Sequence, residues 1–105
     1  MSLDQFAQAQ ASGATVIDVR EPMEYRAGHV PGATLMPLAS MPDKLDAVPR
    51  DEPVYVICAT GNRSQQGSAF LRQAGIEAYS VAGGTNGWST AGREVVAGPY
   101  PNAQG

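Results

Sequence analysis

Short β-branched runs alternate with helix-like segments along this chain, and that alternation limits the possible folds more than any other feature. Thr15-Val-Ile-Asp-Val, Ala33 to Met36, Val54-Tyr-Val-Ile and Ala78-Tyr-Ser-Val-Ala read as strands. Each is short, rich in β-branched or aromatic residues and bounded by Gly, Pro or charged turns. Leu3 to Ala11 carries a weak apolar stripe, with Ser2 as N-cap and Gly13 as stop. Pro22 suits the first turn of a short helix that Gly28 ends. Ser40 to Pro49 predicts another short helix, capped by Ser40. Ser64 to Ala74 predicts a longer one, with Ala69, Phe70, Leu71 and Ala74 inward and Gly75 at its end. Gly83-Gly-Thr-Asn-Gly-Trp is a Gly-rich loop leading into a last short helix that Gly92 ends. The pattern implies an α/β fold with a mainly parallel sheet and helices on both faces.

The 105 residues suffice for one domain and not for two. Residues 1–96 are expected to form it. Residues 97–105 hold two Pro, two Gly and no periodicity, and are expected to be a loose tail. A net charge of −3 argues against nucleic acid or an anionic membrane as a general partner. No apolar run is long enough to span a bilayer, and the N-terminus shows no basic flank or apolar stretch of a signal peptide. A single cysteine cannot close an intramolecular disulfide, so a cytoplasmic setting is expected.

That cysteine, Cys58, sits where the run Val54 to Ile57 ends. A free Cys is often a small buried hydrophobe. The six residues after Cys58 argue for chemistry instead. Ala59, Thr60, Gly61 and Asn62 form a short turn, Arg63 is a fixed cation, and a helix begins near Ser64. A tight loop between a strand and a helix N-terminus turns its N–H groups inward as an anion cradle. Such a cradle favours thiolate over thiol, and the thiolate is the reactive form. Two chemistries use this arrangement. Phosphoryl transfer, as in cysteine phosphatases, uses Cys-x5-Arg, whereas here Arg63 falls one position early. Sulfur transfer holds one extra sulfur on the thiolate, which suits the smaller Cys-x4-Arg loop.

Three separated segments together resemble the rhodanese family of sulfurtransferases. Asp18-Val-Arg-Glu-Pro-Met-Glu-Tyr-Arg-Ala-Gly-His-Val-Pro-Gly-Ala33 is similar to its first signature, Cys58-Ala-Thr-Gly-Asn-Arg63 to its six-residue active-site loop, and Gly83-Gly-Thr-Asn-Gly-Trp88 to its C-terminal signature. The resemblance implies a rhodanese-like fold with a central, mostly parallel five-stranded sheet. It implies that Cys58 takes a sulfane sulfur from a donor such as thiosulfate and passes the persulfide sulfur to cyanide, a thiol or a protein. Ala59, Thr60, Gly61, Asn62, Arg63 and Ser64 would bind substrate through the loop, with no metal and no organic cofactor. Family members that use thiosulfate often carry a basic residue one or two positions after the Cys. Ala59 and Thr60 stand there instead, so weak use of thiosulfate is expected. The alternatives are a non-catalytic rhodanese-like binding module and, behind it, a small phosphatase or arsenate reductase.

The remaining conspicuous residues have simpler readings. Asp18 and Arg20 come at the end of a strand and are expected to form an ion pair that holds the first loop. Glu24 and Tyr25 belong to a surface helix packed on one side. His29 is the only His and lies in a Gly/Pro turn, so a structural hydrogen bond is expected. Ser64 is expected as a helix N-cap, Trp88 as a core residue whose N–H finds a partner, and Tyr55 and Tyr79 as strand packing.

Overall fold

The computed structural model describes residues 1–102. Strands β1 (Thr15–Asp18) and β3 (Val54–Ile57) lie side by side at the centre. β2 (Thr34–Leu35) flanks β1 and β4 (Ala78–Ser80) flanks β3, and every pairing is parallel. Thr15 stands opposite Val54 and Asp18 opposite Ile57, so the two central strands end level with each other. From β1 the chain moves outward to β2, and from β3 outward in the other direction to β4. The carboxyl ends of β1 and β3 therefore flank the switch point, where open α/β sheets hold their ligands.

Helices cover both faces. Side chains alternate along β3: Val54, Val56 and Cys58 join a core with α3 (Asn62–Gln73) and a 3₁₀ segment (Leu38–Ala47), through Leu71, Phe70, Met41 and Leu45. Tyr55 and Ile57 face the other way, toward α1 (Leu3–Ala11) and α4 (Gly84–Thr90), through Phe6, Leu3 and Trp88. Each large apolar side chain buried this way contributes about 1.5–3 kcal/mol. The Phe6 and Trp88 rings meet edge to face at 5.4 Å, and the Trp88 N–H donates to the Glu94 carbonyl at 2.7 Å. Ser2 caps α1 through a reciprocal bond pair with Gln5.

Several expectations change. Among the described residues the sheet has four strands, not five, and what pairs beyond it there is one antiparallel bridge between His29 and Val96. Pro31 has no N–H to extend that bridge, and Gly98 turns the chain away at φ 105°. The segment from Ser40 is 3₁₀ rather than α. It starts after Pro37, carries Pro42 inside and breaks at Lys44; the Ser40 hydroxyl donates to the Pro37 carbonyl instead of capping. α3 begins at Asn62 with Gly61 before it, so Ser64 lies inside the first turn and is not an N-cap. The buried face of α3 is Ser64, Gly67, Ser68 and Leu71, with Ala69 and Ala74 only partly covered. A Cβ on Gly67 would lie 3.3 Å from Val56 Cγ1, which measures how closely this helix rides on the sheet.

Residues 97–102, expected to be loose, are tied down as far as Pro101. Gly98 N–H donates to the Arg26 carbonyl, and the Pro101 carbonyl accepts from Gly32. The fully buried His29 ring lies against the Tyr100 and Pro101 carbonyls through Nε2, at 2.8 and 3.2 Å, and against the Tyr25 carbonyl through Nδ1 at 2.8 Å. It stacks on Tyr25 of α2 (Pro22–Ala27), with ring centres 3.7 Å apart. Burial, with Asp18 nearby, pushes the Tyr25 phenol up to about 12. The remaining tail residues, 103–105, lie outside the described residues.

Candidate active site

β3 delivers Cys58 to the switch point, and the chain then turns sharply at Gly61, whose φ of 126° favours glycine. The turn swings the Gly61 N–H back onto Cys58 Sγ at 3.0 Å. Ser64, in the first turn of α3, places its Oγ 3.4 Å from the same sulfur. Burial pushes the Cys58 thiol up. The Ser64 hydroxyl and the amides of Ser64, Gly61 and Thr60 outweigh it, so the thiol titrates below its ordinary value. The sulfur is thus nearly enclosed, with its residue 1% exposed, yet is held as an anion acceptor by donors that the loop supplies.

The loop keeps this shape because its outward groups are satisfied too. The Cys58 and Ala59 carbonyls accept from the Thr85 and Asn86 N–H groups of α4 at 2.8 and 3.0 Å. That approach requires Gly84, since a Cβ there would lie 2.5 Å from the Cys58 carbonyl oxygen. On the other side, Asp18 and Arg20 at the end of β1 form a buried pair. Arg20 Nη2 lies 2.8 Å from Asp18 Oδ2 and donates to the Gly28 carbonyl as well. Arg63 does not reach toward the sulfur. Its guanidinium grips Glu24 of α2 with two bonds of 2.7 and 2.9 Å, which holds the Glu24 carboxyl down at about 2. Among the described residues no group of three His, Cys, Asp or Glu side chains is arranged to hold a metal.

The family model for the rhodanese-like domain matches residues 2–91. The chain belongs to the rhodanese-like domain family. It is 38% identical over 89 residues to the thiosulfate sulfurtransferase GlpE of Pseudomonas entomophila (strain L48), covering 84% of this chain and 82% of that protein. A rhodanese-related protein from Thermoplasma volcanium superposes with a TM-score of 0.87 at 33% identity, covering 93% of this chain and 97% of that one. The human single-domain sulfurtransferase TSTD1 superposes with a TM-score of 0.79 at 28% identity, covering 86% and 94%.

In this rhodanese-like domain the site residues expected from sequence divide into two groups. Cys58, Thr60, Gly61 and Ser64 converge on the sulfur through the thiol, three amides and a hydroxyl. Ala59, Asn62 and Arg63 do not. Ala59 turns its carbonyl to Asn86, Asn62 is exposed at the start of α3, and Arg63 is occupied by Glu24. Sequence reasoning gives Glu24, Gly84 and Ser80 no place at the thiol loop. Glu24 comes after the strand that neighbours β3, so topology alone would set it beside the thiol loop. Gly84 reads as a simple turn, and its φ of 58° fits that, but the decisive constraint is contact with the loop's backbone. Ser80, at the end of β4, lies with its Oγ 2.7 Å from Ser64 Oγ and carries no signal beyond its position.

Proposed function

We propose that this chain is a sulfurtransferase that carries a sulfane sulfur as a persulfide on Cys58. The observation that carries the reading is the enclosed thiol with Gly61 N–H at 3.0 Å and its ionisation favoured by the loop. The name of the similar thiosulfate sulfurtransferase supports it. In the first half-reaction the Cys58 thiolate attacks the outer sulfur of the donor. With thiosulfate the S–S bond breaks and sulfite leaves with the electron pair. The new Cys–S–S⁻ anion keeps the negative charge near the loop amides, as an oxyanion hole would. In the second half-reaction a nucleophilic acceptor takes the terminal sulfur and the Cys58 thiolate leaves. One covalent intermediate shared by two half-reactions gives ping-pong kinetics.

A persulfide or other small sulfane donor suits the site better than thiosulfate, because the loop cation is already paired with Glu24. The same pairing counts against phosphoryl transfer, which needs that cation on the phosphate. The acceptor is cyanide in the assay and a thiol or protein in the cell. With one cysteine in the chain, the persulfide has to be relieved from outside. We place the protein in the cytoplasm, where reducing conditions keep a lone thiol available.

Mass spectrometry after treatment with a sulfane donor tests the reading. The expected result is a gain of about 32 Da on Cys58, lost on adding cyanide, with neither change in Cys58→Ser. Sulfur transfer by folded Cys58→Ser at the native rate would refute it. Transfer without any persulfide on Cys58 would do the same.

A further inference from the structure

Ser64 has one hydroxyl proton and three neighbours that could accept it. Its Oγ lies 3.4 Å from Cys58 Sγ, 3.1 Å from the Gly61 carbonyl oxygen and 2.7 Å from Ser80 Oγ. Ser80 closes β4 and lines a cavity of about 420 Å³ shared with Thr60, Gly61, Asn62 and Gln65. Cys58 does not line that cavity. The three side chains thus form an unbroken hydrogen-bonded chain from an enclosed sulfur to an open space.

We propose that Ser80 is a positioning residue for the reactive thiol, acting through Ser64, and that the Cys58–Ser64–Ser80 chain carries the thiol proton to the cavity. The inference rests on Cys58 being the reacting group. In the thiol state Cys58 S–H donates to Ser64 Oγ, and the Ser64 proton points to Ser80. On ionisation the Cys58 proton passes to Ser64 Oγ, the Ser64 proton passes to Ser80 Oγ, and the Ser80 proton leaves to water or a buffer base in the cavity. Each hydroxyl ends with one proton. Ser64 then donates to the sulfur anion, and Ser80 donates to Ser64. Without Ser80, the Ser64 proton turns to the Gly61 carbonyl and the thiol keeps its own.

The charged and titratable groups around this chain are engaged elsewhere. Arg63 of α3 and Glu24 of α2 pair with each other, as do Asp18 and Arg20 at the end of β1. Arg72 of α3 donates to the Ala78 carbonyl, Tyr79 of β4 bonds Glu77, and the Met1 ammonium donates to the Ser80 carbonyl rather than its hydroxyl. α4 brings no charged side chain.

The rate of alkylation by iodoacetamide against pH tests this without any sulfur donor, so its outcome is independent of whether sulfur transfer occurs. Ser80→Ala should raise the midpoint by roughly half to one pH unit, the worth of one hydrogen bond to an anion's partner. Ser80→Thr, which keeps a hydroxyl, should leave it near the native value. In a Ser64→Ala background, Ser80→Ala should add nothing. A native midpoint in folded Ser80→Ala would overturn the proposal, as would a full additional shift in the Ser64→Ala background.

Discussion

Replacing Glu24 with Gln removes one negative charge from the rim of the thiol loop while keeping the side chain's shape and an acceptor for Arg63. In the native pair the carboxylate lies within 3 Å of both guanidinium nitrogens, at 2.7 and 2.9 Å, so an approaching anion meets two charges that nearly cancel. Thiosulfate carries two negative charges, and methanethiosulfonate, also a sulfane donor, carries one. The Arg63 and Glu24 side chains are 34% and 37% exposed, which calls for a solvent-like dielectric. With an effective value of about 60 and a separation of about 8 Å, one unit of charge is worth about 1.4 kcal/mol against thiosulfate and half that against methanethiosulfonate. Glu24→Gln should therefore raise kcat/KM about tenfold for thiosulfate and about threefold for methanethiosulfonate.

The assay is thiocyanate release with cyanide as acceptor, run at about 10 mM and at about 1 M salt. The Debye length falls from about 30 Å to about 3 Å across that range, so both gains should disappear at the higher salt. Loss of the pair costs at most about 1 kcal/mol at this exposure, and the variant remains folded. Equal gains for the two donors, or gains that survive the higher salt, would refute the electrostatic argument. A fall in thiosulfate use would show instead that Glu24 orients the donor.

Gly84→Ala places a Cβ 2.5 Å from the Cys58 carbonyl oxygen and 2.6 Å from that of Ala59, so α4 must withdraw. Strain and two lost hydrogen bonds predict a loss of about 3 kcal/mol in urea unfolding, with the Cys58 alkylation midpoint moving up. Arg20→Ala strands the Asp18 carboxylate, which is 0% exposed, and should cost about 3–5 kcal/mol by the same measurement. The Glu24 carboxyl should titrate at about 2 in carbon-detected NMR, and Arg63→Ala should move it most of the way back toward 4.5. Because the folded value is the lower one, the pair's stabilisation is whole above the ordinary carboxylate range. It is lost as pH falls from 4.5 toward about 2, and solvent exposure keeps it below about 1 kcal/mol.

The strands are legible because a sheet buried on both faces selects short β-branched runs, and β3 falls on the residues expected, Val54–Ile57. α1 is legible because Ser2 and Gly13 mark its ends. Periodicity misplaces the start of α3 by two residues and finds only Phe70 and Leu71 of its inner face, because a helix riding this close to a sheet needs Ser64, Gly67 and Ser68 where an apolar stripe looks for large side chains. The 3₁₀ segment is misread because Pro42 and Pro37 permit helix-like turns without a continuous α ladder. The bonds made by residues 98–101 are not legible because their partners are not in the tail. They are the His29 ring and the Gly32 N–H, far away in sequence, and composition carries no information about them.

The thiol loop shows the same division within seven residues. That the cysteine stands at a strand end, on the carboxyl edge of the sheet, can be read from the sequence. Which way the loop's groups point cannot, because each direction is set by a distant partner. α4 takes the carbonyls of Cys58 and Ala59, and that leaves the amides of the next turn free to face the sulfur. Glu24 takes the Arg63 side chain, and that leaves the sulfur's charge mainly to hydrogen bonds, with Arg63 adding only a longer-range attraction. A loop that favours an anion with amides and a hydroxyl stabilises one charge at short range and attracts little from a distance. That combination suits a small bound persulfide and gives a dianionic donor no long-range advantage.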